Sequence, residues 1–311
     1  MPIFRDQRGD LIAFTPVLPG PELYETELEG LIWSDFEAFT GEALFPIARQ
    51  AHIPGGGVPD ILALDSGGHV VVIEVKRDVD RGQLAQCLEY AGWARTTYLD
   101  QLAALYNAGP GHQGTAAFFT DWQEFTETAT PTTIVSPPHL ILVAREFIGR
   151  TRAALDFLRD SSLPVTVIPV SIYEDGAGGR IINVEHDHEV GVGAAPQKAT
   201  GGAPHANQYT VNGSTVTVAN LISAELIQPN EQVEFVRPVV GDRYSATILP
   251  DGQIRLDDGS ICRTPSRAAM QAAHTPSYDG WHAWRVVRLG GTKLHELRQQ
   301  YIAQQTASPA E

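Results

Sequence analysis

Cysteine is scarce in this chain: there are two, Cys87 and Cys262, among 311 residues. Two thiols so far apart support neither a disulfide framework nor a zinc-ligand spacing, and they fit a reducing cytoplasm. No apolar run is long enough to span a bilayer, and the start, MPIFRDQRGD, lacks the basic-then-apolar layout of a signal segment, so a cytoplasmic protein without membrane contact is expected. Positive charge is also sparse, 22 Lys and Arg against 37 Asp and Glu, a formal net charge of −15. The deficit is uneven. From Gln208 onward the balance is −1, and everything before it carries −14. Because duplex binding depends largely on neutralising phosphates, the C-terminal part is the one less repelled by nucleic acid.

A hydrophobic content of 43% is ample for buried cores, and the length suits two domains. A stretch rich in Gly, Ala and Pro, Gly176 to Pro204, separates the two charge regimes and reads as a linker. We therefore expect a first domain over residues 1–187, a linker over 188–206, a second domain over 207–302 and a tail over 303–311. Within the linker region Glu185-His186-Asp187-His188-Glu189 alternates metal-binding types, but nothing nearby completes a ligand set, and a solvated loop edge is the expectation.

The most informative stretch is Gly57 to Arg77, GVPDILALDSGGHVVVIEVKR. Ile61 to Ala63 and Val70 to Val75 read as paired strands around a Ser-Gly-Gly turn. Side chains alternate along a strand, so Glu74 and Lys76 share a face while Val75 takes the other. Asp60, at the mouth of the first strand, can join them. Two hard carboxylates suit Mg²⁺, and a neighbouring ammonium can orient a water or stabilise developing charge, a combination suited to phosphodiester hydrolysis.

The order Pro59-Asp60, then Glu74-Val75-Lys76, resembles the PD-(D/E)XK nuclease superfamily. The flanks extend the resemblance toward its RecB-like and mismatch-endonuclease-like branch. Gln86 and Tyr90 lie four apart on the helix Gln83 to Arg95, like the Gln-x-x-x-Tyr element that follows the catalytic strand in that branch. Ile47-Ala48-Arg49-Gln50 resembles its strand ending in Gln. The amphipathic stretch Tyr24 to Ile32 resembles its first helix, with Glu25 as the carboxylate that leans into the site. The resemblance implies an α/β restriction-endonuclease-like domain, a mixed central sheet flanked by helices. It also implies Asp60, Glu74 and the Val75 carbonyl as ligands of Mg²⁺ (Mn²⁺ being a tolerated substitute), Lys76 as the water-positioning group, and Gln86 and Tyr90 as braces or backbone contacts.

Along the rest of the first part, Leu11 to Phe14 reads as a short strand, Glu22 to Phe39 as one helix, and Asp100 to Tyr106 as another. Thr126 to Pro138 reads as a loop. His139 to Ala144, Phe147 to Arg159 and Pro164 to Ile172 read as a strand-helix-strand crossover.

Beyond Gln208 a strand passes into a short helix at Thr215 to Ile227. Short alternating strands follow at Glu234–Val236, Tyr244–Ile248 and Gln253–Leu256, between Gly-Asp, Pro-Asp-Gly and Asp-Asp-Gly turns. Thr264 caps a helix with Pro265 at its first position. Pro265-Ser266 with Ala268-Ala269, the aromatics Gly280-Trp281 and Trp284, and the closing Leu294…Leu297-Arg298 resemble the RAMA domain, a small α+β, β-rich module. The resemblance implies a reader of modified bases in double-stranded DNA, with Thr264, Ser266, Arg267, Tyr278, Asp279, Trp281 and Trp284 as candidate contacts. Core packing competes with that role, and is the favoured reading for Trp284, which a strand follows.

Together the two resemblances imply a Mg²⁺-dependent endodeoxyribonuclease that cuts DNA carrying modified bases, as a homodimer or as a pair formed only on DNA. N6-methyladenine and modified cytosines are both open. A repair nuclease directed by structure or mismatch, and a catalytically silent sensor of modified DNA, are the rivals.

Overall fold

The structure is a computed structural model, and it describes residues 3–8, 10–17, 21–77, 81–109, 117–126, 133–147, 149–161, 163–185, 209–211, 214–237 and 240–307. The stretch 188–206 read as a linker, and His186 to Glu189 of the His-carboxylate motif, lie outside the described residues.

The N-terminal unit opens with a hairpin, β1 (Ile3–Gln7) and β2 (Asp10–Pro16), of which only the second strand is evident in the sequence. The expected single helix over Glu22 to Phe39 is two, α1 (Pro21–Ser34) and α2 (Phe36–Thr40). Asp35 breaks it: its backbone is non-helical and its carboxylate accepts the Ala38 N–H at 3.1 Å, capping the second helix. Then follow β3 (Phe45–Arg49), β4 (Ile61–Leu64), β5 (His69–Val75), α3 (Arg81–Ala94) and α4 (Leu99–Ala108). The last part holds α5 (Phe118–Thr126), β6 (Val135–Ala144), α6 (Gly149–Asp160), β7 (Val165–Glu174) and β8 (Arg180–Val184). One expectation is corrected here: Val135 to Pro138 belongs to a strand rather than a loop. β8, at the start of the Gly-rich stretch and within the expected first domain, pairs with β7.

These strands form one mixed sheet in the order β1-β2-β7-β6-β5-β4-β3, with β8 also on β7; β5, β6 and β7 run parallel. β4 and β5 are buried throughout because both sheet faces are covered. Leu62, Leu64, Val70 and Val72 pack with Cys87, Tyr90 and Leu102 of α3 and α4. Ile61, Ala63, Val71, Ile73 and Val75 pack with Tyr24, Leu28 and Ile32 of α1. The period of two in the strands thus divides one sheet between two helical layers. Among the described residues no helix is long and apolar enough to cross a membrane.

The C-terminal unit contains β9 (Thr210–Val211), β10 (Ser214–Thr215), α7 (Val218–Ser223), β11 (Glu231–Val236), β12 (Arg243–Ile248), β13 (Ile254–Leu256) and β14 (Ile261–Cys262). It continues through α8 (Pro265–Ala273), α9 (Gly280–Ala283), β15 (Arg285–Val286), β16 (Thr292–Lys293) and α10 (Leu294–Ala307). Six strands pair in the order β14-β13-β12-β11-β15-β16 around a core that includes Phe235, Ile248, Ile254, Tyr278 and Trp284. Thr264 caps α8 as expected, accepting the Arg267 N–H at 3.2 Å, with Pro265 in the first turn. α10 continues through Ala307, so most of the expected tail is helix. Gly280 has a steric reason: a Cβ there would stand 2.1 Å from the Pro265 carbonyl. That close approach seats α9 on the start of α8.

Candidate functional site

At one end of the N-terminal sheet, β4 begins beside the point where β5 ends. Asp60 Oδ2 accepts the Val75 N–H at 2.7 Å, fixing the carboxylate against the strand that carries Glu74. Lys76 Nζ stands 3.0 Å from Glu74 Oε1 and 3.6 Å from Asp60 Oδ2. The three side chains expected to converge do so. They open into a cleft of about 1110 Å³, whose wall also includes Glu25, Glu29, Gln50, Gln86 and, from the C-terminal unit, Pro276.

The electrostatics follow from burial beside like charge. Glu74 is almost wholly buried, and its Oε2 has no hydrogen-bond partner among the described residues. Burial and then the Asp60 charge push its pKa up to about 7, against the pull of Lys76. Burial alone would depress the Lys76 pKa, but Glu74 and then Asp60 outweigh it, so the ammonium is held charged well above its ordinary range. Lys76 therefore serves this cluster as a cation.

Gln50 ties the site together. Its backbone N–H donates to the Asp60 carbonyl at 3.1 Å, and its Nε2 donates to Asp60 Oδ1 at 2.8 Å and to Glu29 Oε1 at 3.1 Å. To reach both, Gln50 adopts a left-handed backbone, φ 47°. The carboxylate of α1 linked to Asp60 is thus Glu29, one turn beyond Glu25. Burial and then Asp60 raise the Glu29 pKa, and the Arg49 guanidinium lies 3.6 Å away. Glu25 is near too, but its Oε1 accepts the Arg77 N–H at 3.0 Å, which places it on the chain just after Lys76. Glu29 was missed although the signal was present: it lies four residues after Glu25, on the same helix face.

Of the two α3 residues, Gln86 is exposed on the cleft, whereas Tyr90 is buried. The Tyr90 hydroxyl accepts the Val58 N–H at 3.3 Å, and its ring covers Gly57, where a Cβ would lie 2.5 Å from Cε1. Tyr90 braces the loop that leads into Asp60. Gln83, fully buried and also unforeseen, donates from Nε2 to the Glu74 carbonyl at 3.2 Å.

Two carboxylates with one orphaned buried oxygen suit a hard cation, which takes oxygen ligands and keeps waters. Among the described residues no three His, Cys, Asp or Glu side chains group as a metal cage. The carboxylates nearest the unpartnered Glu74 oxygen in this cluster are Glu74 itself and Asp60, both within reach of Lys76.

The candidate contacts of the C-terminal unit are placed otherwise. Tyr278, Asp279, Trp281 and Trp284 are all buried. Trp284 is core, its indole N–H donating to the Pro265 carbonyl at 3.1 Å, and Tyr278 stacks edge-on against Phe235. Asp279 caps α9 and lies 2.7 Å from His282 Nδ1. Trp281 lies 4.1 Å under the Arg298 guanidinium and donates its indole N–H to Glu37. Ser266 N–H donates to the same carboxylate at 3.0 Å, and Thr264 Oγ1 donates to Asp35 at 3.2 Å. Arg267 is exposed, with Nη1 donating to the Ser34 carbonyl at 3.1 Å. In this arrangement none of the three rings offers an open face for stacking on a base, and four of the seven candidates bond the N-terminal unit.

Comparison with known proteins gives a family match and several structural likenesses. Residues 198–307 match the family described as "RAMA: Restriction Enzyme Adenine Methylase Associated". No curated protein matches. Among solved structures, the chain is similar to a repair endonuclease from Pyrococcus abyssi, with 19% identity and a TM-score of 0.28, over 49% of this chain and 48% of that one. It is likewise similar to the structure titled "Structure of EndoMS-dsDNA2 complex", with 16% identity and a TM-score of 0.29, over 54% of this chain and 65% of that one. The chain thus spans about half the length of the first and under two thirds of the second. Residues 198–307 match the RAMA family, and they are joined to a mixed α/β unit whose sheet end carries Asp60, Glu74 and Lys76.

Proposed function

We propose that the protein is a Mg²⁺-dependent endodeoxyribonuclease acting on DNA that carries modified bases. The C-terminal unit recognises the DNA, and the N-terminal cleft hydrolyses the phosphodiester. The observation that carries this reading is the cluster at the end of β5: Lys76 bonded to Glu74, Asp60 fixed to Val75, and a buried Glu74 oxygen without a partner. The match to a family associated with restriction enzymes and adenine methylases supports DNA as the substrate.

Asp60 and Glu74 would hold the cation, and the nuclease resemblance adds the Val75 carbonyl as a further ligand. When bound, the ion supplies Lewis-acid polarisation of the phosphate and lowers the pKa of a coordinated water. The chain's own groups do the rest. Lys76 presents a permanent positive charge to the attacking oxygen and to the charge developing on the phosphate. Glu74, with its Oε1 held by Lys76, would turn its buried Oε2 to the ion. Gln50 and Gln83 hold Asp60 and the Glu74 backbone in place, and Gln86 lines the approach. Cutting both strands calls for two such clefts, hence a homodimer or a pair assembled on DNA.

The test is cleavage of one plasmid in unmodified, adenine-methylated and cytosine-modified forms, each with Mg²⁺ and with EDTA, beside Lys76→Ala. Cleavage of one modified form alone, dependent on metal and on Lys76, is the expected result. Equal cleavage of all three would remove the modified-base reading. Retention of modified DNA without cleavage would make the protein a sensor.

A further inference from the structure

The residues that hold Glu37 raise the question of how the two units are joined. Glu37 is buried, yet the donors to its carboxylate, Ser266 N–H and the Trp281 indole, belong to the other unit. Arg298 is buried as well, between Trp281 and Tyr209, and its Nη2 donates to the Gly41 carbonyl, just past α2, at 3.0 Å. On a separate face, Arg237 Nη2 meets Glu124 of α5 at 2.6 Å, both side chains largely buried. Ser277 Oγ donates to the Leu44 carbonyl at 3.3 Å, beside Pro276, which forms part of the cleft wall.

We infer that the C-terminal unit is docked on the N-terminal unit in one orientation, and that this Glu37-centred dock sets a single distance between the base recognised and the bond cut. This rests on the reading of the two units as recogniser and nuclease. The physical ground is that buried charges tolerate only partners with defined geometry, and here the partners lie across the interface. Two groups of contacts, Glu37–Trp281–Arg298–Gly41 at α2 and Glu124–Arg237 at α5, oppose rotation as well as translation. A tether makes a different prediction. A free Gly- and Ala-rich segment of the length of 188–206 would let its ends range over roughly 25 Å. That is about seven base pairs of duplex rise, and cuts would scatter accordingly.

The experiment has two arms on the full chain. Spin labels at Tyr98→Cys and Val287→Cys, both exposed, report the distance between units, with Cys87 and Cys262 buried and unlabelled. A narrow distance distribution is expected, and Glu37→Ala with Glu124→Ala should broaden it several-fold. A broad distribution in the otherwise wild-type chain would overturn the dock. The second arm maps cut positions on a linear duplex with a single modified base. One offset is expected, spreading over several positions in the double variant. Cuts scattered in the wild type, or an offset unchanged by a variant whose units have come apart, would overturn the inference. Cutting that ignores the modification would count against the proposed function instead, while the spin-label arm still decides the dock.

Discussion

Asp60 Oδ2 accepts the Val75 amide proton at 2.7 Å, so a carboxylate at the start of one strand is registered to the end of the next. Because Glu74 and Lys76 flank Val75, this bond places all three polar groups of the cleft relative to one another. The site depends on the β4–β5 pairing as much as on its own residues.

Lys76→Ala should leave the fold intact, since its ammonium sits at the cleft rather than in a core, and should lower cleavage by about 10²–10³-fold, the usual cost of removing one donor aimed at developing charge. Circular dichroism alongside single-turnover cleavage checks this. A variant that cuts at the wild-type rate would remove Lys76 from the mechanism.

Metal binding should be visible without turnover. A cation held by Asp60 and Glu74 at 100 times its dissociation constant would stabilise the fold by roughly 2.7 kcal/mol. The melting temperature should rise with Mg²⁺, and Glu74→Gln should abolish most of the rise. Calorimetry reading the same Mg²⁺ response in both proteins would place the ion elsewhere.

Gly57→Ala should destabilise the N-terminal unit by about 1–3 kcal/mol, because it adds a left-handed strain at φ +99° to a 2.5 Å clash with Tyr90. Tyr90→Phe should cost about 1 kcal/mol through the lost bond to Val58. Urea denaturation gives both values, and the order of the two losses is the discriminating result.

Stability should depend on pH through Glu37. Burial raises its folded pKa to about 7, despite the favourable Ser266, Arg298 and Trp281 contacts. Between its ordinary value and 7 the unfolded chain releases the proton while the folded one keeps it. Stability contributed by this group is therefore full below the ordinary carboxylate range and falls as pH rises to 7, by up to about 3 kcal/mol. Denaturation of wild type and Glu37→Gln from pH 4 to 8 should show that slope in the first and its loss in the second. Parallel curves would mean that Glu37 does not titrate in this window.

Trp284→Ala should cost about 3–5 kcal/mol, as the loss of a fully buried core aromatic. Any loss of DNA binding would then follow loss of folding. Thermal unfolding of the variant checks this, and a near-neutral result would reopen a surface role for the indole.

By itself the sequence determined the strands and the cap. The β-branched run Val70 to Ile73 has few conformational alternatives, a period of two puts Glu74 and Lys76 on one face, and Thr264-Pro265 is a local signal for a helix start. The Asp60, Glu74 and Lys76 cluster was legible for the same reason, since one hairpin carries all of it. Glu29 was half legible, from its place one turn after Glu25. What only the tertiary structure decided is whatever joins distant segments. α2 separates from α1 because Asp35 caps it, and Asp35 and Glu37 then meet residues more than 220 positions away. The Glu37 carboxylate has no local signature, and neither do the partners of Trp281 and Arg298. An aromatic pattern reads alike whether its rings face DNA or a neighbouring core, and only packing settles which side is filled.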